Sequence, residues 1–377
     1  MTIEGTQKFD AIVIGLGAIG SAALFHLASR GLNVLGLEKF RCVHELGSHH
    51  GETRLIRKAY FEHPDYVPLL ERAYQLWQDL GVLSDTKLFE KSGVAIFGPE
   101  ESAVLQGVRY SASLHSLEIE NVAGDDLAQR FPEFSLPRGY EAVFEPDAGF
   151  LHVEAGVRAH LSAAQQFGAQ IQDQTSVLAW SQHEEGVEVV TRESTFRCDH
   201  LVLCAGAWSE DLSELEALPI AVHRQVLAWF QGDSHFALEH GTPCFAFDLP
   251  EGFHYGFPDI GGSGVKFASH EKGIALTSAD ERDKEGVVGE IEKLGEVLTR
   301  HVPGATPEVL RSTDCLYSMT PDQHFVVDRH PDYRNVFLAA GFSGHGYKFS
   351  PVIGEQLADF VTAGEPSLPM NFLRYRF

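Results

Sequence analysis

The chain has 377 residues and a formal net charge of −24, with 44% hydrophobic and 11% aromatic residues. That length exceeds a usual single domain, so two domains are expected, and the apolar fraction is ample for packed cores. The acidity argues against a nucleic-acid or anionic-membrane partner, while leaving room for a local basic pocket. The five cysteines, Cys42, Cys198, Cys204, Cys244 and Cys315, form no CxxC pair. An odd count of this kind suggests neither a disulfide framework nor a thiolate zinc site and fits a reducing cytoplasm. The N-terminal segment lacks a basic stretch followed by an apolar one, so no secretory signal or membrane span is expected. The 19 histidines are scattered, and no metal site is expected.

In chain order, the first unit is the most informative. An apolar run, Ala11 to Ile14, ends in Gly15, Gly17 and Gly20. A helical stretch with Leu24, Leu27 and Ala28 on one face stops at Gly31, and a second apolar run, Val34 to Leu37, ends in Glu38. Gly15 suits a tight turn, Gly17 lets backbone approach a pyrophosphate, and Gly20 lets the helix pack on the strand. The helix N-terminus offers free N–H groups and a positive dipole end to phosphates. Glu38 stands where an acid accepts the ribose hydroxyls. The motif predicts a bound dinucleotide and leaves NAD and FAD open.

After a loop rich in His, Gly and Ser, a helix is expected with Asp65 as cap, Leu69, Ala73, Leu76, Trp77 and Leu80 on its apolar face, and Gly81 as stop. Residues 92–98 read as a strand and residues 123–134 as helix and loop. A helix is expected over His152 to Phe167, with strands over Gln170 to Leu178, Gly186 to Thr191 and Leu201 to Trp208. Residues 225–270 carry short alternating runs that suggest a mostly antiparallel sheet. Within them, Phe245, Phe247, Tyr255 and Phe257 either line a pocket or form sheet core. Lys266, between Val265 and Phe267, points away from its apolar neighbours. Residues 279–301 read as a charged helix. The strand Val336 to Ala340 then runs into a second glycine-rich turn and a last helix.

A nucleotide-binding domain built from separated segments follows, 1–90, 150–220 and 315–377. A second domain, 91–149 and 221–314, is inserted between them. Ligand sites favour such domain interfaces.

The C-terminal GFSGHGYK (341–348), with GSHHGETRLIRKAY (47–60) and DCLYSMTPDQHF (314–325), resembles the monomeric sarcosine oxidase family, which includes N-methyltryptophan oxidase, pipecolate oxidase and fructosyl amino acid oxidases. The resemblance runs from Phe9 to the final FLRYRF. It implies an α/β (α+β) fold with a Rossmann-type FAD-binding domain and an inserted substrate domain on a mostly antiparallel sheet. It implies FAD as cofactor, carried covalently by Cys315 through a thioether. A thiol in so polar and turn-rich a segment is activated if a cation is near.

The implied FAD contacts, besides Gly15, Gly17, Gly20 and Glu38, are Ala18, Ile19, Lys39, Ser48, His49, Thr53, Arg54, Val177, Gly206, Trp208, Met319, Phe342, Gly344, His345, Gly346 and Lys348. Arg57 and Lys348 match the family's carboxylate clamp, where a planar guanidinium and a point charge grip one anion. Arg54 and Lys266 resemble the pair at the two flavin faces, with Lys266 assigned to oxygen activation. If their segment is helical, Arg54 and Arg57 share a face; if it is extended, they oppose. His50, Tyr255, His270 and Tyr317 resemble polar residues that orient the substrate. Glu52 stands where the family more often has Asp. The implied reaction oxidises a secondary amine of amino-acid type, sarcosine or another N-methyl amino acid first, by hydride transfer to FAD. The imine hydrolyses and oxygen becomes hydrogen peroxide. Alternatives are pipecolate or proline, N-methyltryptophan or fructosyl amino acids as substrate, or a non-oxygen electron acceptor. A monomeric cytoplasmic enzyme is expected.

Overall fold

The computed structural model describes residues 7–215, 218–281 and 286–377. The chain opens with strand β1 (Lys8–Ile14), helix α1 (Ala18–Ser29) and strand β2 (Val34–Leu37), as the glycine pattern predicts. β1 is central in an eight-stranded sheet. It pairs in parallel with β2 on one side and with Thr195–Leu203 on the other. The end of Thr195–Leu203 also pairs in parallel with Val336–Ala340, while its start joins an antiparallel hairpin, Val177–His183 and Gly186–Thr191. The helices α1, Val153–Gln166 and Ser350–Ala363 cover one face through the apolar residues of a single core. Gly354 permits the close approach of the last helix to α1, because a Cβ there would sit 2.6 Å from the backbone of Ala22 and Ala23.

A nine-stranded sheet forms the second layer. Its one parallel contact is Cys244–Leu249 with Val94–Pro99; every other pair is antiparallel. Phe97, Phe131, Phe134, Phe245, Phe247 and Phe267 pack into a core on one face. Phe245 and Phe247 are therefore sheet core and not pocket wall, whereas Tyr255 belongs to the opposite face. A small three-stranded sheet pairs β3 (Thr53–Ile56) with Gly149–His152.

Several sequence expectations are corrected. Gln170 to Leu178 is not one strand: the run breaks at Gln174, whose φ is 53°, and its halves join opposite ends of the sheet. Helix α2 (Val67–Ser84) runs past Gly81 and ends at left-handed Asp85. Its entry is a 3-10 turn, Pro64–Tyr66, capped by the His63 ring and not by Asp65. Leu201 to Trp208 is the end of a strand followed by a 3-10 turn at Gly206–Trp208. The later charged helix begins at Val287; residues 279 and 280 form a turn, and residues 282–285 of that expectation lie outside the described residues. The segment around Cys315 is not a turn but the end of a 15-residue strand, Ala305–Met319, which crosses the expected domain boundary at 315. The helix Ala103–His115 was missed, although Ser102 caps it by accepting from the Leu105 N–H at 3.1 Å.

His26 on α1 and His160 on the helix packed against it are both buried. Burial pushes each pKa from 6.5 down to about 3. Between those values the unfolded chain binds protons that the folded chain refuses. Stability therefore rises with pH across this window and falls on acidification, by up to about 1.4 kcal/mol per pH unit for each histidine. Denaturant titrations from about pH 7 to about pH 5 should show this loss. In His160→Leu the slope should flatten by one histidine's share, and an unchanged slope would refute the assignment.

Candidate active site

The β1–α1 turn faces a cavity of about 320 Å³. Gly15, Gly17, Ala18 and Ile19 line it, and α1 begins at Gly17 with no side-chain cap and no acid in its first turn. The first amide groups of the helix are thus left for an anion. The glycines are required by contact. A Cβ on Gly20 would lie 1.7 Å from the Gly15 carbonyl oxygen, and one on Gly15 would lie 2.5 Å from that of Cys204. Glu38 lines the same cavity at the end of β2. Its carboxylate accepts the Leu16 N–H at 2.8 Å and the Phe40 N–H at 2.9 Å. Burial opposes its ionisation, but His44 and these two amides outweigh that and lower its pKa. Lys39 and Trp208 close the rim, both bound to Asp280 at 2.9 Å.

The far end of this cavity is walled by Leu316, Tyr317 and Ser318 and by Phe342, Gly344 and Gly346. Gly344 has φ 80°, and a Cβ there would meet the Tyr317 ring at 2.3 Å. A second cavity, of about 70 Å³, adjoins. Arg54, Tyr317, Gly344 and Tyr347 line both.

The second cavity combines charge with apolar wall. Arg57, Glu62, His345 and Lys348 line it, as do Val94, Ile96 and Ala246. Glu62 accepts both carboxylate contacts from one Arg57 nitrogen, at 2.9 and 3.0 Å. Burial would raise the Glu62 pKa, but Arg57, His345 and Lys348 bring it down to about 2. Lys348 is buried, and burial together with Arg57 lowers its pKa to about 7 despite the pull of Glu62. The His270 imidazole meets the Tyr317 hydroxyl at 3.3 Å, and Tyr255 hydrogen-bonds Tyr317 in turn. β3 is extended, yet Arg54 and Arg57 both reach this cavity, because Arg57 lies just beyond the strand.

Two cavities that share a wall, one with a glycine-turn anion site and one with paired cations, suit a dinucleotide whose reactive end meets a small anionic substrate. A family model described as FAD dependent oxidoreductase matches residues 10–360. The chain belongs to the FAD-dependent oxidoreductase family. It is 38% identical over 364 residues to a monomeric sarcosine oxidase from Arthrobacter sp. (strain TE1826), covering 95% of this chain and 94% of that protein. It is 36% identical over 356 residues to an N-methyl-L-tryptophan oxidase from Yersinia pestis (strain Pestoides F), covering 94% and 95%. Its fold matches that of NikD, an unusual amino acid oxidase, with a TM-score of 0.87 over 98% of each chain at 24% identity.

FAD is thus the cofactor of this flavoenzyme, and the larger cavity has the lining to take it. Of the residues expected at FAD, Gly15, Gly17, Ala18, Ile19, Glu38, Lys39, Ser48, His49, Arg54, Val177, Gly206, Trp208, Phe342, Gly344 and Gly346 line it. His345 and Lys348 line the second cavity instead. Gly20 and Thr53 are buried behind the wall, as are Cys315 and Met319, whose neighbours Leu316 to Ser318 form it. Sequence reasoning missed Phe40 and His44, which follow Glu38, and Tyr347, inside the quoted GFSGHGYK motif. It also missed Glu62, whose acidity hid its place in a cationic site.

His50 and Lys266 are buried but line neither cavity. Lys266 does point away from Val265 and Phe267, which join the phenylalanine core. Its ammonium donates to the Gly51 carbonyl at 2.6 Å, the Thr53 carbonyl at 2.8 Å and the Thr53 hydroxyl at 3.1 Å. Burial and the Arg54 charge push its pKa down, while three oxygens match the three protons of an ammonium. Arg54 donates to the same Thr53 carbonyl at 2.9 Å. Glu52, the longer acid in its loop, reaches Arg311 and accepts from the Trp229 indole at 3.2 Å. Among the described residues, no cluster of His, Cys, Asp and Glu could hold a metal, and no helix is long and apolar enough to cross a membrane.

Proposed function

We propose that this flavoenzyme oxidises secondary amines of amino-acid type, with sarcosine and other N-methyl amino acids as its substrates. The observation that carries this reading is the small cavity where Arg57 and Lys348 stand together against the wall shared with the FAD cavity. Two cations inside a chain of net charge −24 mark a carboxylate site. The relatives named for sarcosine and N-methyltryptophan oxidation support the same substrate class. Val94, Ile96 and Ala246 give the cavity an apolar wall that suits a small aliphatic side chain.

In this reading Arg57 leaves part of its contact with Glu62 to grip the carboxylate, and Lys348 supplies the second charge. His270, Tyr317 and Tyr255 form a hydrogen-bonded row that orients the amine. When bound, FAD would supply the electron sink, with molecular oxygen as the final acceptor. Arg54 places positive charge beside the cofactor, and Lys266, held behind the wall by Gly51 and Thr53, serves the oxygen step. Cys315 carries the flavin as a thioether, with the Arg54 charge acting on its sulfur. The oxidised carbon–nitrogen bond then hydrolyses in water. The relatives named monomeric sarcosine oxidase support a monomer and oxygen as acceptor. The five cysteines form no disulfide, which suits a cytoplasmic setting.

A panel of N-alkyl amino acids, scored for peroxide, tests the substrate class. Sarcosine and small N-methyl amino acids should release peroxide, and N-methyltryptophan should be poor; flavin bleaching without oxygen uptake would sink the oxidase reading. After acid precipitation the yellow colour should stay with the protein, and in Cys315→Ser it should leave with the supernatant. Lys266→Met should slow reoxidation of reduced flavin by about 10²-fold or more, while flavin reduction changes far less. Equal slowing of both half-reactions would reject the oxygen role.

A further inference from the structure

Lys348 is held by a directed chain of buried groups. The His345 Nε2 lies 3.1 Å from the Gln323 carbonyl oxygen, which can only accept, so Nε2 carries the proton. Burial pushes the His345 pKa down to about 3, so the imidazole is neutral and its Nδ1 is bare. Nδ1 lies 2.7 Å from the Tyr60 hydroxyl, and although the Glu62 carboxylate competes for the same proton, the hydroxyl donates to Nδ1, because two lone pairs would otherwise face each other at that distance. With its proton committed, the Tyr60 oxygen offers only lone pairs, and it accepts from Lys348 Nζ at 3.3 Å. The other acceptor of Lys348 is the His345 backbone carbonyl, at 2.9 Å. His345 thus holds Lys348 twice, once through its own carbonyl and once through Tyr60.

We propose that Tyr60 and His345 are positioning residues that keep Lys348 charged and in place for the substrate carboxylate. The inference rests on the carboxylate site proposed above. The other charged and titratable groups facing Lys348 are Arg54 on β3, Arg57 and Glu62 on the segment after it, and His270 beyond the strand Val265–Ser269. The two arginines oppose a charge on Lys348, and Glu62, already committed to Arg57, offsets them in part. A neutral acceptor fixed in orientation is what remains to favour the ammonium. Were the histidine protonated, or turned to present N–H to Tyr60, the hydroxyl proton would be free to rotate toward Lys348 and the bias would be lost.

The test uses the holoenzyme and butyrate, a carboxylate with no amine, and follows its binding by the perturbation of flavin absorbance across pH. In the wild type, affinity should hold below about pH 7 and then fall up to tenfold per pH unit as Lys348 loses its proton. Lys348→Met should remove that break. Tyr60→Phe keeps the ring beside Arg57 and deletes the oxygen. It should move the break about one unit lower, the tenfold effect of one hydrogen bond to a charged group. His345→Phe should move it in the same direction, and the double variant should move it no further than Tyr60→Phe alone. An unshifted break in both single variants, or additive shifts in the double, would overturn the chain. Failure of the wild type to bind butyrate at any pH would overturn the carboxylate site itself, and the inference with it.

Discussion

The site depends on burying positive charge without cancelling it. An isolated charge taken from water costs several kcal/mol, and a carboxylate partner would repay that only by neutralising it. Arg54, Lys266 and Lys348 are instead bound by carbonyls and hydroxyls, neutral dipoles that solvate a cation and leave its field intact. The loop from Ser48 to Arg54 is shaped for this task. Glu154, in the first turn of the helix after β3's partner strand, takes the N–H groups of Gly51 and Glu52 at 2.8 and 3.1 Å. With those amides turned toward Glu154, the Gly51 and Thr53 carbonyls turn toward Lys266. Gly51 and Glu52 both take positive φ to allow it. The strain at Glu52 is offset by its reach to Arg311 and Trp229.

Arg57 is the exception, and the exception suits its place. It alone of the four has a carboxylate, Glu62, only five residues further on. The segment between them is pinned from below by Glu145, which accepts the Lys58 and Ala59 amides at 2.7 and 2.9 Å. Arg57 closes the turn by donating to the Ala59 carbonyl at 2.9 Å. On the proposed function, a substrate carboxylate entering this cavity meets a guanidinium that is already organised and charged, and it must share that guanidinium with Glu62. Sharing lowers affinity, but it removes the cost of a bare buried arginine when no substrate is present.

Much of the dinucleotide half was legible in the sequence because its constraints are local. Gly15, Gly17, Gly20 and Glu38 lie within one strand–helix–strand unit, and each has a steric or hydrogen-bonding reason that a short window carries. The reacting half is assembled from β3, the segment after it, the long strand ending at Met319 and the C-terminal turn. No window holds it, so it came from resemblance. Resemblance carried residue identities but not partners. Lys266 was expected near a cofactor, but only the fold shows its ammonium saturated by the Gly51–Thr53 loop. Cys315 read as turn because Asp314, Ser318 and Thr320 are polar, yet the strand is fixed by its register opposite Ala221–Gly232. The helix at Ala103 was lost for the opposite reason: Gly107 and the polar Gln106, Arg109, Ser111, Ser113 and His115 diluted the periodicity.

The two cavities meet at a single point in the fold, and that point constrains what the enzyme accepts. The shared wall is Arg54, Tyr317, Gly344 and Tyr347. Tyr347 is fixed by its hydroxyl to the Val153 carbonyl at 2.8 Å, and Gly344 is pressed against the Tyr317 ring. Any side chain at 344 would displace Tyr317, and with it the contacts of Tyr317 to His270 and Tyr255. The two cavities are therefore referenced to the same ring. On the proposed function, the cations at the other side of the small cavity set where the carboxylate lies. A substrate held at both ends would then place its side chain against Val94, Ile96 and Ala246. Selectivity for small amino acids then follows from the distance between charge and ring, not from any one residue at the apolar wall.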